Sequence, residues 1–238
     1  MERPAFLPDP SLSRAAMERL QHEIAATATF GDDHALDRRD QVTVAGVDQG
    51  FDGDTATSAV VVVRGDEVVE RAHATRETEI PYIPGLLSFR EGGVALSALR
   101  SLETTPDVVL VDGSGRIHFR EAGLATHIGV TLGVPTVGVA KSLLCGRTPE
   151  SVSGLSEGTH VPVEADASVT AAEGTVIGYA VQTRQYDSDS RYINPVYASP
   201  GHRVGAATAA DLAERQATRY KLAEPVRLAD QYAADLTG

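Results

Sequence analysis

The stretch DVVLVDGSGRIH, residues 107–118, decides the fold. Val108 to Val111 form a continuous apolar run rich in β-branched residues, which suits a strand covered on both faces inside a mostly parallel sheet. The run delivers Asp112 into a loop flanked by Gly113 and Gly115, residues that break a strand and let backbone approach whatever the acid binds. Ligands of open α/β sheets gather at the carboxyl ends of strands, so an acid there has a chemical reading. It has a structural reading too, as a helix cap or turn support.

The flanking sequence extends the pattern in both directions. Upstream, VTVAGVDQGF (42–51), TSAVVVVR (57–64) and EVVERAHATR (67–76) read as strands. GDTA (53–56) and the Arg64-Gly65-Asp66 corner carry turn chemistry between them, which predicts an antiparallel meander. SLSRAAMERLQHEIAATA (11–28) reads as an N-terminal helix with serine at its cap, and the polar residues 31–41 as a connection. PYIPGLLSFREGGVALSALRSLE (81–103) begins as a proline-bound loop and takes helical spacing from Pro84 or Gly85 onward. Downstream, FREAGLATHIGVTLG (119–133) predicts a helix ended by glycine, and PTVGVAKS (135–142) another strand. Residues 146–173, rich in Gly, Ser, Glu and Pro, read as a surface excursion. Strands at 174–184 and 193–199 and a helix from about Ala207 to Lys221 complete the order.

Three antiparallel strands, a helix, then strand-helix-strand is the order of a ribonuclease H-like core. The expected fold is therefore α/β: a mixed sheet with three antiparallel strands, then parallel strands, flanked by helices. One domain is expected over 1–238, with the core over 42–142 and the C-terminal strands and helix over 174–222. A chain of this length can bury a sizeable core.

Composition narrows the setting. No apolar run approaches the roughly 20 residues of a membrane helix, and the N-terminal MERPAFLPDPS has no signal-like apolar core, so a cytoplasmic protein with no membrane partner is expected. Cys145, the single cysteine, reads as a small buried hydrophobe. Acidic residues outnumber basic ones 33 to 21, for a net charge of −12, and Lys141 and Lys221 are the only lysines. An acidic, lysine-poor, arginine-retaining surface resembles the proteins of salt-accumulating cells. At molar salt the Debye length is about 3 Å, so this charge does not exclude nucleic acid as a partner.

Asp48, in VAGVDQGF, repeats the arrangement at Asp112: an apolar strand, an acid, then glycine. In the expected topology the two strands are neighbours and the two carboxylates can share a hard divalent cation, which takes oxygen ligands and keeps water or phosphate in its other positions. Without a cation they would repel and one pKa would rise. Glu91, on the helix after the meander with Leu87 and Phe89 beside it, is either an exposed helical glutamate or a third acid of that site. Lys141 ends its strand as Asp112 ends the preceding one, where an ammonium can meet a phosphate or its developing charge.

These residues resemble the endonuclease V family, the deoxyinosine-specific repair nucleases. The resemblance runs through VAGVDQGF, PYIPGLLSFRE, VDGSGRIH, GLATHIGV, GVPTVGVAKSLLCG and YASPGHRVG, over most of residues 42–205. It implies that Asp48, Glu91 and Asp112 are the metal-binding catalytic acids, with Mg2+ as cofactor and Mn2+ as a substitute. It implies cleavage of the second phosphodiester bond 3′ to a deaminated base, leaving a 3′-hydroxyl and a 5′-phosphate. Lys141 would assist near the scissile phosphate, and His202 of SPGHR would lie close to the metal.

By the same resemblance the PYIP loop is the tool that opens a duplex. A base must be rotated out before a pocket can read it, and Tyr82, between Pro81 and Pro84, would be the wedge that fills the gap. Read from its neighbours alone, Tyr82 is equally a core aromatic under a loop. The extruded hypoxanthine would enter a pocket read by backbone groups at Gly85, Gly113 and Gly123, with Leu86 and His118 beside them. The chain departs from the family at His118-Phe119-Arg120, where His-Pro-Arg is usual, and at Gln49, where a smaller or apolar residue is usual. The partner implied is DNA containing deaminated bases, met by a monomer. Inosine in single-stranded RNA is the alternative substrate, and a non-catalytic nucleic-acid-binding module the alternative class.

Overall fold

A computed structural model describes residues 2–32, 36, 42–188 and 190–238. The connection expected over 31–41 falls largely outside them. The meander is β1 (Thr43–Asp52), β2 (Thr55–Arg64) and β3 (Glu67–Glu77). It is preceded by α1 (Arg14–Thr27), whose cap Ser13 accepts a hydrogen bond from the Ala16 N–H, and followed by α2 (Leu87–Arg100). Then come β4 (Val108–Asp112), α3 (Leu124–Leu132), β5 (Thr136–Ala140), β6 (His160–Glu164), β7 (Val176–Val181), β8 (Val196–His202), α4 (Ala206–Arg215) and α5 (Glu224–Thr237).

All eight strands join one sheet in the order β3-β2-β1-β4-β5-β8-β7-β6. β1, β4 and β5 are parallel; the remaining pairs are antiparallel. This is the ribonuclease H-like arrangement extended by three strands. The apolar run that opened the reading is covered on both faces, as expected. Val108 and Leu110 point into a layer shared with Leu212 of α4 and Val226 of α5, while Val109 and Val111 point into a layer shared with Leu96 of α2 and Ile128 of α3. Each such fully buried aliphatic side chain contributes roughly 1.5–3 kcal/mol.

Four elements differ from expectation. The helix at 119–133 starts only at Leu124, because residues 119–123 form a turn with Glu121 at φ 52° and two backbone N–H groups directed at His118. The surface excursion 146–173 contains the edge strand β6, which closes a small satellite core of Ile117, Cys145, Val163 and Ile177. Cys145 is buried there as expected, its thiol pushed up to about 12 by burial. The strand expected over 193–199 instead starts at Val196 and runs on through SPGH to His202 as β8. The last expected helix stops at Arg215, and a further helix, α5, follows. Among the described residues no helix is long and apolar enough to cross a membrane.

Candidate active site

Successive strand residues alternate faces, so Gly46, Asp48 and Gly50 of β1 share the face that Val44 presents to α5. The glycines bring that helix down onto the strand. A Cβ on Gly46 would lie 2.0 Å from the Pro225 carbonyl carbon, and one on Gly50 would lie 3.0 Å from the Thr237 hydroxyl. Asp48 between them therefore faces α5 at short range. On β4, Val108 and Leu110 point to this same layer, and Asp112 follows them in register. Asp230 projects from α5 to meet both: oxygens of Asp48, Asp112 and Asp230 all lie within 4.8 Å of one another.

The Lys141 ammonium, just past the end of β5, answers these acids from 2.8 Å at Asp112 and 3.8 Å at Asp230. Burial alone would lower its pKa, but contact with Asp112 and the fields of Asp48 and Asp230 hold it above the usual lysine value. One cation does not balance three carboxylates. Burial pushes the Asp48 carboxyl well above the carboxylate range; the Asp112 charge and contact with Asp230 push further, against a hydrogen bond from the Gln49 N–H, at 2.8 Å, and the charge of Lys141. Three crowded oxygen donors, one held towards its neutral form, suit a hard divalent cation, whose charge would remove the repulsion.

Glu91 is buried in the layer on the other side of the sheet and is not part of this tight group. Burial lifts its pKa to about 7, with Arg90 opposing and the charge of Asp112 adding to the rise. From the opposite layer it thus feels the charge of Asp112. His202 is not brought to the acids. It pairs with Thr136, which also pairs with Val109, three residues below Asp112 and so roughly 10 Å away along the strand. There its Nδ1 accepts the Thr29 N–H at 3.1 Å, which fits a structural tie between β8 and the segment after α1. The continuation of β8 through SPGH is what carries it to that end.

A cavity of about 380 Å³ opens beside the acids. Asp112 and Lys141 stand on its wall with Tyr82, Gly85, His118 and Gly123. Tyr82 is 63% exposed at its rim, so the core reading of that residue is overturned. Leu86 turns away into a cluster with Met17 and Phe89, and the neighbouring Leu87 and Ser88 take its place on the wall. Pro84 and Gly113 do not line the cavity either. Gly113, at φ 142°, instead shapes the strand exit, and its N–H donates to the Val139 carbonyl at 3.3 Å. A Cβ on Gly123 would stand 2.3 Å from the Ser114 carbonyl oxygen, so only glycine fits that wall.

His118 is buried, and that burial drives its pKa down to about 4. Its Nδ1 accepts the N–H groups of Arg120 and Ala122 at 3.2 and 3.4 Å, which assigns the proton to Nε2 and directs it at the Gly85 carbonyl, 3.1 Å away. Among the residues of the site that carried no sequence expectation are Asp230 and Gln21. Asp230 sits on the unexpected α5, whose start was marked by Glu224-Pro225 and whose face is marked by Val226, Ala229 and Ala233. Gln21 reaches the cavity from α1.

Acids on two adjacent parallel strands of a ribonuclease H-like sheet, Asp48 midway along β1 and Asp112 at the end of β4, with a lysine beside them and a cavity against them, define a nuclease. The family model for Endonuclease V matches residues 23–231, and the chain belongs to that family. Endonuclease V of Natronomonas pharaonis is 60% identical, with 98% of this chain and 95% of that one covered. Endonuclease V of Haloarcula marismortui is 58% identical, covering 97% and 95%. Among solved structures, the catalytic domain of human Endonuclease V is 31% identical and superposes with a TM-score of 0.80 over 93% of this chain and 94% of that one. Ciona intestinalis Endonuclease V, in complex with a 24mer DNA containing an inosine followed by a ribo-adenosine, is 25% identical with a TM-score of 0.77 over 93% and 96%.

Proposed function

We propose that the chain hydrolyses DNA at the second phosphodiester bond 3′ to a deaminated base, chiefly deoxyinosine, leaving a 3′-hydroxyl and a 5′-phosphate. The observation that carries this reading is the shared wall: Asp112 and Lys141 belong at once to the acidic cluster and to a cavity large enough for an extruded base. The relative captured on inosine-containing DNA supports the substrate class.

Asp48, Asp112 and Asp230 would hold Mg2+, or Mn2+ in its place, with Glu91 acting from the other layer. The ion supplies Lewis-acid polarisation of the phosphate and a bound water of lowered pKa. Lys141, whose ammonium stands beside Asp112 on the cavity wall, would offer that charge to a phosphate oxygen as negative charge develops. Tyr82, exposed at the rim, fills the gap left by the extruded base. Neutral His118 braces the Gly85 loop and holds no charge against the base.

The test is product mapping on an end-labelled inosine duplex, with the inosine strand presented in parallel as single-stranded RNA. One Mg2+-dependent cut two bonds 3′ of inosine in DNA supports the reading. Cutting confined to the RNA would move the substrate to inosine RNA, and binding without turnover would leave only a recognition module.

A further inference from the structure

Tyr82 is exposed, but the loop that carries it is held at both ends. Upstream, an Arg90 guanidinium nitrogen donates to the Ile80 carbonyl at 2.8 Å. Downstream, the Gly85 carbonyl accepts from Gln21 Nε2 at 2.8 Å, from His118 Nε2 at 3.1 Å and from an Arg120 guanidinium nitrogen at 3.3 Å. Beneath the loop, Ile80 and Ile83 join one apolar cluster with Leu12, Met17 and Leu20, so its floor is α1 and the residues leading into that helix.

The sequence stiffens this loop everywhere but at its end. Pro81 and Pro84 fix their own φ and restrict Ile80 and Ile83 before them. Gly85, at φ 80°, is the soft joint, since glycine takes positive and negative φ about equally well. The three donors hold that joint by its carbonyl. Gln21 is 1% exposed, and its amide is fixed in turn: its oxygen accepts Arg120 Nε at 2.7 Å, so turning the amide over would lose both bonds. Arg120 Nη1 lies 3.8 Å from the carboxylate of Glu18, one turn before Gln21 on the same face of α1.

A wedge has to be stiff to work. Extruding a base from a duplex costs pairing and stacking, and Tyr82 must enter the gap against that cost. A loop that first had to be ordered would add its own entropy to the barrier, and a loop ordered beforehand adds none. Single-stranded substrate has no pair to break and asks less of the wedge.

We propose that Gln21, with Arg120, is the clamp by which α1 locks the Gly85 joint and keeps Tyr82 stiff enough to open a duplex. Gln21 does not touch the reacting atoms; it acts on Tyr82 through Gly85 and is a positioning residue. This rests on the reading of Tyr82 as the wedge.

The experiment measures single-turnover cleavage, in Mg2+, of one inosine oligodeoxynucleotide presented alone and paired with its complement. Gln21→Met, close to glutamine in shape but without its amide, lowers the duplex-to-single-strand rate ratio about fivefold or more, the worth of one buried hydrogen bond. Arg120→Met removes a second donor from the same oxygen and moves the ratio the same way, which covers the case of a Gln21→Met protein that fails to fold. Tyr82→Ala also lowers the ratio, and adding Gln21→Met to it changes the ratio no further, because the clamp then has no wedge to hold. A ratio that stays at the wild-type value in the folded single variants overturns the proposal, however much both rates fall. So does a Gln21→Met effect that persists in full without Tyr82. A ratio unmoved by Tyr82→Ala alone overturns the wedge reading itself, a distinct result.

Discussion

Asp48, Asp112 and Asp230 crowd around one ammonium, and the cost of that crowding is readable as pH dependence. Folding raises the carboxyl of Glu91 from its ordinary 4.5 to about 7 and lifts Asp48 well above its ordinary 3.8. Between those limits the folded chain binds more protons than the unfolded one, so stability is fully present below pH 4 to 5 and is lost as pH rises through 7 and beyond. Thermal melts of metal-free protein should therefore shift downward from pH 5 to pH 8, and millimolar Mg2+ should reverse the shift at pH 8. Asp230→Asn removes one donor oxygen's charge from the cluster. It should weaken apparent Mg2+ affinity at least 10–100-fold, measured as the metal dependence of cleavage, while melting no lower than wild type at pH 8 without metal. Asp48 and Asp112 were legible in the sequence, because each follows an apolar run and has a glycine within the next two residues. Asp230 was not: it is one acid on a polar helix, and nothing beside it in LADQY marks it.

What marks Asp230 lies on another element. Gly46 and Gly50 flank Asp48 at the spacing of one strand face, and α5 occupies the space their missing side chains leave. Gly46→Ala drives a methyl into the Pro225 backbone, where relief requires the helix to move. Overpacking of this kind costs about 1–3 kcal/mol, and displacement of Asp230 should lower cleavage well beyond what that loss of stability explains. A denaturation curve and a cleavage rate on the same preparation separate the two effects. The meander, β4, β5 and the helices over the sheet were legible through their periodicity and turn residues. The elements that were not legible owe their form to distant partners. His118 draws residues 119–123 into a turn, pairing with β7 makes β6 a strand, and α5 is held by small residues, Ala229 and Ala233, that carry a weak hydrophobic signal. His202 was misplaced for the same reason, since pairing of β8 with β5 carries SPGH past the acids to the start of β5.

Across the whole molecule, a net charge of −12 with only two lysines sets an acidic surface against a polyanionic substrate. On the proposed reading, substrate charge would approach closest where Lys141 and a bound cation reverse the sign, and the remaining recognition would be by wedge and pocket. The salt-accumulating character read from composition agrees with the relatives from Haloarcula marismortui and Natronomonas pharaonis. Ordinary nucleases lose affinity steeply with salt because binding releases counterions. Here cleavage of an inosine duplex should change little between 0.2 and about 2 M KCl, where the Debye length has shrunk to about 3 Å or less; a loss of more than tenfold would show that phosphate contacts dominate after all. The claim on which everything else depends is that the acids and the cavity form one cleavage site. Single-turnover cleavage of an inosine duplex in Mg2+, wild type against Asp112→Ala, tests it most directly. The expected result is a cut at inosine that falls at least a thousandfold in the variant while binding to the inosine duplex persists. An equal rate in the two proteins, or an uncut duplex with wild type, would contradict it.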